Sequence, residues 1–273
     1  MPEGDTVWLA GRRLHDALAG RALTRSDFRV PRLATTDLSG RTVSEVVSRG
    51  KHLLTRLDDD LTLHTHFRMD GTWRLYRHGE RWRGGPGWQV RVVLENDRWQ
   101  AVGYRLPVVD LLPRAREGDA VGHLGPDLLG PDWDAEEAVR RLEGHPEREL
   151  GQALLDQRNL AGIGNLHKSE VCFLAGLTPW TPLGGVRDLP AVVDLAERLL
   201  QANKGNVHQV TTGDDRRGRR LWVFERSGRP CLRCGTTVAS AEQGGPPYQR
   251  IAYWCPYCQE GPAPQSNARP HPR

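Results

Sequence analysis

Four cysteines near the end of the chain constrain its fold more than any other feature. Cys231 and Cys234 form one Cys-x2-Cys pair, Cys255 and Cys258 form another, and 20 residues separate them. Thiolates at this spacing close a tetrahedral shell around an ion, the pattern of a structural zinc site rather than a catalytic one. The stretch between the pairs, "GTTVASAEQGGPPYQRIAYW", reads as two strand-like pieces around a turn, so a zinc-ribbon β-hairpin is expected. In a reducing compartment such pairs hold metal rather than disulfides. The fifth cysteine, Cys172, reads as a small buried hydrophobe.

The chain has 273 residues, enough for about two domains with real cores. It is 26% charged and 38% hydrophobic with a net charge of +4, the profile of a soluble globular protein. No apolar run approaches the length of a membrane span, and the start lacks a signal-peptide pattern, so the expected location is cytoplasmic. The basic residues are uneven. Seven arginines fall between Arg216 and Arg233 against the single acid Glu225, and five fall between Arg68 and Arg83 against Asp70 and Glu80. Such patches suit a phosphate backbone, although each taken alone also reads as a solvated, salt-bridged face.

Apolar spacing predicts a helix over 5–19, stopped by Gly20. From about 40 to 112 the period becomes two, giving strands at 42–47, 52–57, 61–67, 89–95 and 98–104, with hairpin turns at 58–60 and 95–97. Many short strands behind one helix predict an antiparallel sandwich or barrel. The Gly, Pro and Asp residues of 123–134 read as a linker. Helices are then expected at 135–143, 149–157, 166–176 and 189–203, the second and third joined by the tight turn "NLAGIGN". The expected fold class is therefore α+β. A β-sandwich domain with flanking helices spans 2–122 and the linker 123–134. A domain of paired helices, an arrangement that packs or binds nucleic acid, spans 135–222, a zinc finger 223–260, and 261–273 is too polar and proline-rich to fold.

Three further stretches could carry chemistry. If Met1 is removed, Pro2 becomes a secondary amine with a pKa near ~7.7–8.0, beside the carboxylate of Glu3 and ahead of a helix's positive end. Amines of this kind attack carbonyl-like carbons to form Schiff bases. On those residues alone, Pro2 reads equally as a residue that merely precedes a helix. In "LAGIGNLHKSE" (160–170), Gly162 and Gly164 allow close backbone approach before a helix start, with Asn165 as an added donor. That is a phosphate cradle or a plain connector between helices. Lys51, in "RGKHLL" (49–54), follows Gly50 at the start of a strand and taken alone is a surface lysine.

Taken in order, Pro2-Glu3-Gly4, "RGKHLL", "HFRMDG" (66–71), "GIGNLHKSE" and "GRPCLRCG…YWCPYCQ" (228–259) resemble the formamidopyrimidine-DNA glycosylase / endonuclease VIII family, and "PEGDT" resembles its actinobacterial endonuclease VIII-like branch. The resemblance covers roughly 2–259. It implies a base-excision enzyme that removes oxidised bases, pyrimidines foremost, and then cuts at the abasic site by β,δ-elimination. It implies Pro2 as nucleophile, Glu3 as the acid that opens the sugar ring, and Lys51, Asn165 and Arg250 as contacts to DNA phosphates beside the lesion. Lys51 and Arg250 thereby stand with the catalytic residues as well as the DNA-binding ones. Met69 matches the residue that fills the void left by an extruded base, and otherwise reads as a core methionine. Cys231, Cys234, Cys255 and Cys258 match the ligands of one structural zinc. The implied partner is double-stranded DNA with damaged bases or abasic sites, bound by a monomer associated with the nucleoid.

The sequence departs from the family pattern in three places. Where a "DPRRFG"-like stretch supplies further void-filling residues, this chain reads "AVGYRLPV" (101–108), with Tyr104 and Arg105 as candidate substitutes. The spacer between the cysteine pairs is longer than usual, with "AEQGGPP" read as an insertion at the hairpin that changes the reach of Arg250. Ahead of the finger, Glu225 sits in an otherwise basic strand. A lyase acting mainly on abasic sites or on oxidised purines is one rival reading. A non-catalytic nucleic-acid binder built on the same helix–two-turn–helix and zinc ribbon is the other.

Overall fold

The computed structural model describes residues 2–246 and 249–264. The chain divides into two compact units, residues 1–123 and 124–273. Among the described residues, no helix is long and apolar enough to cross a membrane.

The first unit opens with α1 (Gly4–Leu18), followed by nine strands: β1 (Arg21–Ala22), β2 (Arg25–Phe28), β3 (Thr42–Arg49), β4 (His52–Leu57), β5 (Leu61–His66), β6 (Thr72–Arg77), β7 (Val90–Glu95), β8 (Trp99–Tyr104) and β9 (Val108–Pro113). A short helix, α2 (Glu117–Val121), closes it. The strands form two antiparallel sheets, one in the order β1-β3-β4-β5-β9 and the other β2-β7-β8-β6. Alternation along each strand sends one set of side chains inward. Leu53, Leu57 and Leu63 from the first sheet, Val92, Leu94 and Ala101 from the second, and Val7, Leu14 and Leu18 of α1 make one dry core. This is the expected sandwich. The helix begins one residue earlier than its apolar spacing suggested, because Glu3 is already extended and serves as its N-cap residue. It ends where Gly20 turns left-handed at φ +72, a conformation that favours glycine.

Gly11 fixes how α1 lies on the sheet. A Cβ there would come within 2.9 Å of Leu53 Cδ1, and Ser48 N is 3.8 Å away. Four residues further along the helix, His15 Nδ1 accepts from the Val46 backbone N–H at 3.2 Å. Helix and strand therefore run in opposite senses.

The second sheet has a covered outer face. Tyr76, Val90, Val93, Val102 and Tyr104 form a smaller core there, with Trp82 packed against it. Trp82 belongs to the 78–89 loop, and its indole N–H donates to Gln100 Oε1 at 3.1 Å. Gly84 presses so close to the Tyr104 ring that a Cβ would stand 2.3 Å from it.

The second unit contains α3 (Ala135–Glu143), α4 (Leu150–Leu155), α5 (Asn165–Leu174), α6 (Leu189–Asn203) and a hairpin of β10 (Ala239–Gln243) and β11 (Arg250–Trp254). Asp134 caps α3 by accepting from Glu137 N, and Asp188 caps α6 by accepting from Ala191 N, each at 2.9 Å. The stretch 123–134 is more than a connector. Leu128 is wholly buried, Gly125 N donates to Gln157 O, and Ala161 N donates to Pro126 O. Within the expected tail, Gly261–Pro264 are described and Pro262 O accepts from Thr178 Oγ1, whereas 265–273 lie outside the described residues.

Leu53 is fully buried between α1 and the opposite sheet. Its truncation in Leu53→Ala is expected to destabilise the protein by about 2–5 kcal/mol. Chemical denaturation with an unchanged m-value checks this.

Candidate active site

The register of α1 against β3 determines which functional candidates meet in the first unit. From Gly11 back to Gly4 the helix runs about 10 Å, and from Ser48 forward to Lys51 the strand runs a similar ~10 Å. The first turn of α1, with Pro2 and Glu3 just ahead of it, therefore lies at the same end of the sandwich as the β3–β4 turn. That turn is two residues long and closed by the Arg49–His52 pair. Gly50 has φ +56 and occupies its first central position, as a type II′ hairpin requires. Lys51 thus sits in the turn, directly before the strand. Glu3 is fully buried and Pro2 is half-buried. Asp5, also buried, accepts from Thr6 N at 2.7 Å in the first helical turn.

Met69 is 56% exposed, so it is not a core methionine. Its turn is strained: Arg68 has φ +45, and Gly71 packs so tightly that a Cβ would lie 2.6 Å from Phe67 O. Arg105, at φ +49, braces the turn from below. Its Nε donates to Asp70 O at 3.1 Å and its Nη1 to Gln89 Oε1 at 2.5 Å. Two non-glycine residues are thus held left-handed around one exposed methionine. Tyr104 cannot substitute as a void-filling residue. It is wholly buried against the 78–89 loop, with its hydroxyl 3.3 Å from that of Tyr76.

Beside Lys51 the first sheet carries a cluster of imidazoles. His52 and His66 are paired across β4 and β5, with ring centroids 4.5 Å apart. His52 Nδ1 is 2.9 Å from His64 Nε2, and the His123 ring centroid is 5.9 Å from that of His52. Burial, then the neighbouring His66, His64, His123 and Lys51, push His52 down to about 3. Burial, then Lys51, His64 and Arg68, push His66 down to about 4. His64 is also lowered by burial, against Asp110, which favours its charged form. His52 and His66 are therefore neutral at pH 7.

In the second unit, the α4–α5 turn is stitched by Gln157. Its Oε1 accepts from Gly162 N, and its Nε2 donates to the carbonyls of Leu155 and Ile163. Gly162 takes φ +113. Asn165 opens α5 and is nearly buried; its Nδ2 donates to Ile251 O at 2.8 Å. That bond joins the turn to β11 one residue from Arg250. The Arg250 guanidinium is exposed at the hairpin end, with Nη1 on Gln249 O. The long spacer builds strand as well as loop, since Ala241–Gln243 pair with Arg250–Ala252.

Four sulfurs lie within 4.8 Å of one another at Cys231, Cys234, Cys255 and Cys258. None is in a disulfide. A tetrahedral shell with metal–sulfur bonds of ~2.3 Å requires sulfurs about 3.8 Å apart. Cys234 and Cys255 are at 3.5 Å, so the residues fit a metal ion. Without a cation the four thiols could not all ionise. The hydrogen bond from Cys255 draws Cys231 down to about 5, while Cys255 is raised by the same contact and Cys258 is pushed up to about 12 by burial.

Glu170 carries no role in the sequence reading, yet it organises this unit. Its buried carboxylate accepts the backbone N–H groups of Trp222, Val223 and Phe224 at 2.8–2.9 Å and the Thr211 hydroxyl. Glu225 lies in a turn at φ +55, not in a strand. The basic run before the finger is largely self-paired. Arg216 and Arg219 both bind Asp214, Arg220 binds Asp215, and Arg233 stacks over Phe173 and Trp222. Arg226 is buried, with Nη1 on Gly218 O and Nη2 on Pro230 O. Arg217 and Arg229 stay exposed.

These features define a class: a β-sandwich displaying the start of its first helix, followed by paired helices and a four-cysteine hairpin. Solved structures share it. A complex of the Lactococcus lactis Fpg with DNA containing an abasic site superposes with TM-score 0.79, covering 95% of this chain and 100% of that one, at 22% identity. A family model for the formamidopyrimidine-DNA glycosylase N-terminal domain matches residues 1–106. "Probable endonuclease 8 2" of Streptomyces coelicolor is 60% identical over 274 residues, 98% of either chain. "DNA-(apurinic or apyrimidinic site) lyase Nei2" of Mycolicibacterium smegmatis is 46% identical, covering 95% of this chain and 99% of that one. The chain belongs to the formamidopyrimidine-DNA glycosylase / endonuclease VIII family.

The imidazole cluster has a measurable signature. The unfolded histidines titrate near ~6.5, whereas His52 and His66 stay neutral in the folded protein until about 3 and about 4. Between those values only the unfolded chain takes up protons, so stability present above pH ~6.5 is lost as pH falls. His52→Gln is expected to flatten the decline of the denaturation midpoint between about pH 6.5 and about pH 4. Parallel curves for the two proteins would contradict it.

Proposed function

We propose that this chain is a bifunctional DNA glycosylase and abasic-site lyase of base excision repair, acting as a monomer on double-stranded DNA and preferring oxidised pyrimidines. One observation carries the reading: a fully buried Glu3 beside a half-buried Pro2 at the positive end of α1, in a chain 60% identical over nearly its whole length to an endonuclease 8. With Met1 removed, Pro2 presents a secondary amine that is partly unprotonated at pH 7. Its lone pair forms a C–N bond at C1′ of an extruded nucleotide, and the base leaves with the glycosidic electron pair and a proton. The nitrogen loses its own proton. Glu3 protonates O4′ as the sugar ring opens, which leaves an iminium between Pro2 and C1′. The iminium acidifies C2′, and loss of that proton expels the 3′ phosphate. A second elimination expels the 5′ phosphate, and water then frees the amine.

Lys51, Asn165 and Arg250 hold phosphates beside the lesion, and Met69 enters the space the base vacates. The second amide hydrogen of Asn165 is the one offered to phosphate. Cys231, Cys234, Cys255 and Cys258 hold one zinc ion, closed by four protein ligands and structural in role. Bound to DNA, the protein would be found with the nucleoid. The name of the Mycolicibacterium relative favours a second reading, in which abasic-site cleavage exceeds base removal.

Three experiments test this. Borohydride reduction on duplex DNA with an abasic site should trap a covalent adduct that maps by mass spectrometry to residue 2, with Met1 absent. Glu3→Gln should lose base removal while still binding; normal turnover by that variant would refute the role of the acid. Chelation should remove one zinc per chain and weaken DNA binding while the helices persist by circular dichroism. Full affinity in metal-free protein would remove the ion from the reading.

A further inference from the structure

Trp88 is the most exposed large hydrophobic side chain among the described residues, at 74%. It sits in the 3-10 turn Gly87–Gln89, at the end of the 78–89 loop. Its backbone is not loose. Arg91 Nη1 donates to Trp88 O at 2.8 Å, Arg29 Nη1 donates to Gly87 O at 3.3 Å, and Gln89 N donates to Pro86 O at 2.9 Å. Arg105 grips the next residue twice, its N–H on Gln89 O at 2.8 Å and its Nη1 on Gln89 Oε1. Behind the turn the loop is packed on the outer core through Trp82 and Gly84. Three guanidinium groups thus fix a turn whose only large side chain faces water.

The surroundings indicate what the ring awaits. Between residues 78 and 91, Arg81, Arg83 and Arg91 stand against the single acid Glu80, and Arg29, which also holds the turn, is paired with Asp27 at 2.8 Å. An exposed indole on a fixed turn in a cationic frame fits a ligand with a flat π-face and a polyanionic backbone, which is a nucleic acid presenting an unstacked base. Arg105 also ties this turn to the Met69 turn through Asp70 O. Among the described residues of the first unit, the two most exposed large apolar side chains, Met69 and Trp88, therefore ride on turns held by one guanidinium.

We propose that Trp88 is a stacking ledge for an unpaired DNA base near the lesion, separate from the void filled by Met69. This rests on the DNA-repair reading above. It gives the enzyme an added preference for DNA in which bases beside the lesion are unpaired.

Fluorescence anisotropy with two oligonucleotides tests it. One is a fully paired duplex carrying a tetrahydrofuran abasic analogue, and the other places the same analogue inside a bubble of mismatches. Trp88→Ala should bind the bubble about five- to 150-fold more weakly and lose at most about twofold on the paired duplex. Trp88→Phe, which keeps a ring, should stay within about threefold of wild type on both. An equal loss on the two DNAs, or no loss on either, overturns the ledge. Wild-type protein is trapped with borohydride in parallel. If it traps while Trp88→Ala binds the bubble normally, the ledge alone fails, and a protein partner becomes the better occupant. If wild type neither traps nor binds DNA, the enzymatic reading fails and the ledge with it.

Discussion

A single buried carboxylate holds the second unit together. Glu170 on α5 is removed from water, and it is tolerable there only because three backbone N–H groups and a hydroxyl solvate it in water's place. Those donors belong to residues 211–224, a stretch with no helix or strand of its own. The carboxylate substitutes for a sheet ladder and delivers the chain to Cys231. The Asn165 bond to Ile251 does the same for the return strand. Both anchors lie on α5, five residues apart in sequence. The geometry of the cysteine hairpin and the placement of Arg250 thus depend on one helix.

The first unit solves a different problem: how to place the start of a chain reproducibly. Termini usually fray. Here Gly11 lets α1 sit tightly on β4, and the His15 contact to Val46 sets its register. The first turn of α1 is thereby held at the end of the sandwich that carries Lys51. His52 and His66 beside Lys51 are neutral at pH 7, so they add no positive charge to compete with it.

Much of this was legible in the sequence, and the reasons for success and failure are physical. The helices α3 and α6 match their expected bounds because each has a side-chain cap and a clear apolar stripe. Strands β3, β4, β5, β7 and β8 were found by alternation. Strands β1 and β2 were missed because they are short, β6 because arginines at Arg74 and Arg77 mask its pattern, and β9 because it begins beside Pro107. Glu95, shared in the sequence reading between the strand 89–95 and the turn 95–97, belongs to β7, paired with Arg25 and Gln100, and the turn falls on Asn96–Arg98. The cysteine cluster was readable because metal ligation fixes spacing. Glu170 and Trp88 were not, and Arg105, a void-filling candidate in the sequence, instead braces the Met69 turn, since these side chains, and the turn that carries Trp88, meet partners distant in sequence. Tyr104 was misjudged for the converse reason: nothing local in "AVGYRLPV" reveals that the 78–89 loop folds over it.

The self-paired arginines ahead of the finger alter what the positive charge in that region can do. Asp214 already holds two guanidinium groups, and Asp215 a third. A phosphate arriving there would trade places with a carboxylate, an ion exchange with little net gain of Coulomb energy at long range. Two guanidinium groups on one carboxylate leave one positive charge over, so the field that draws a polyanion from a distance comes from that surplus together with the exposed Arg217 and Arg229. The Arg220–Asp215 pair cancels and adds to it only at close range.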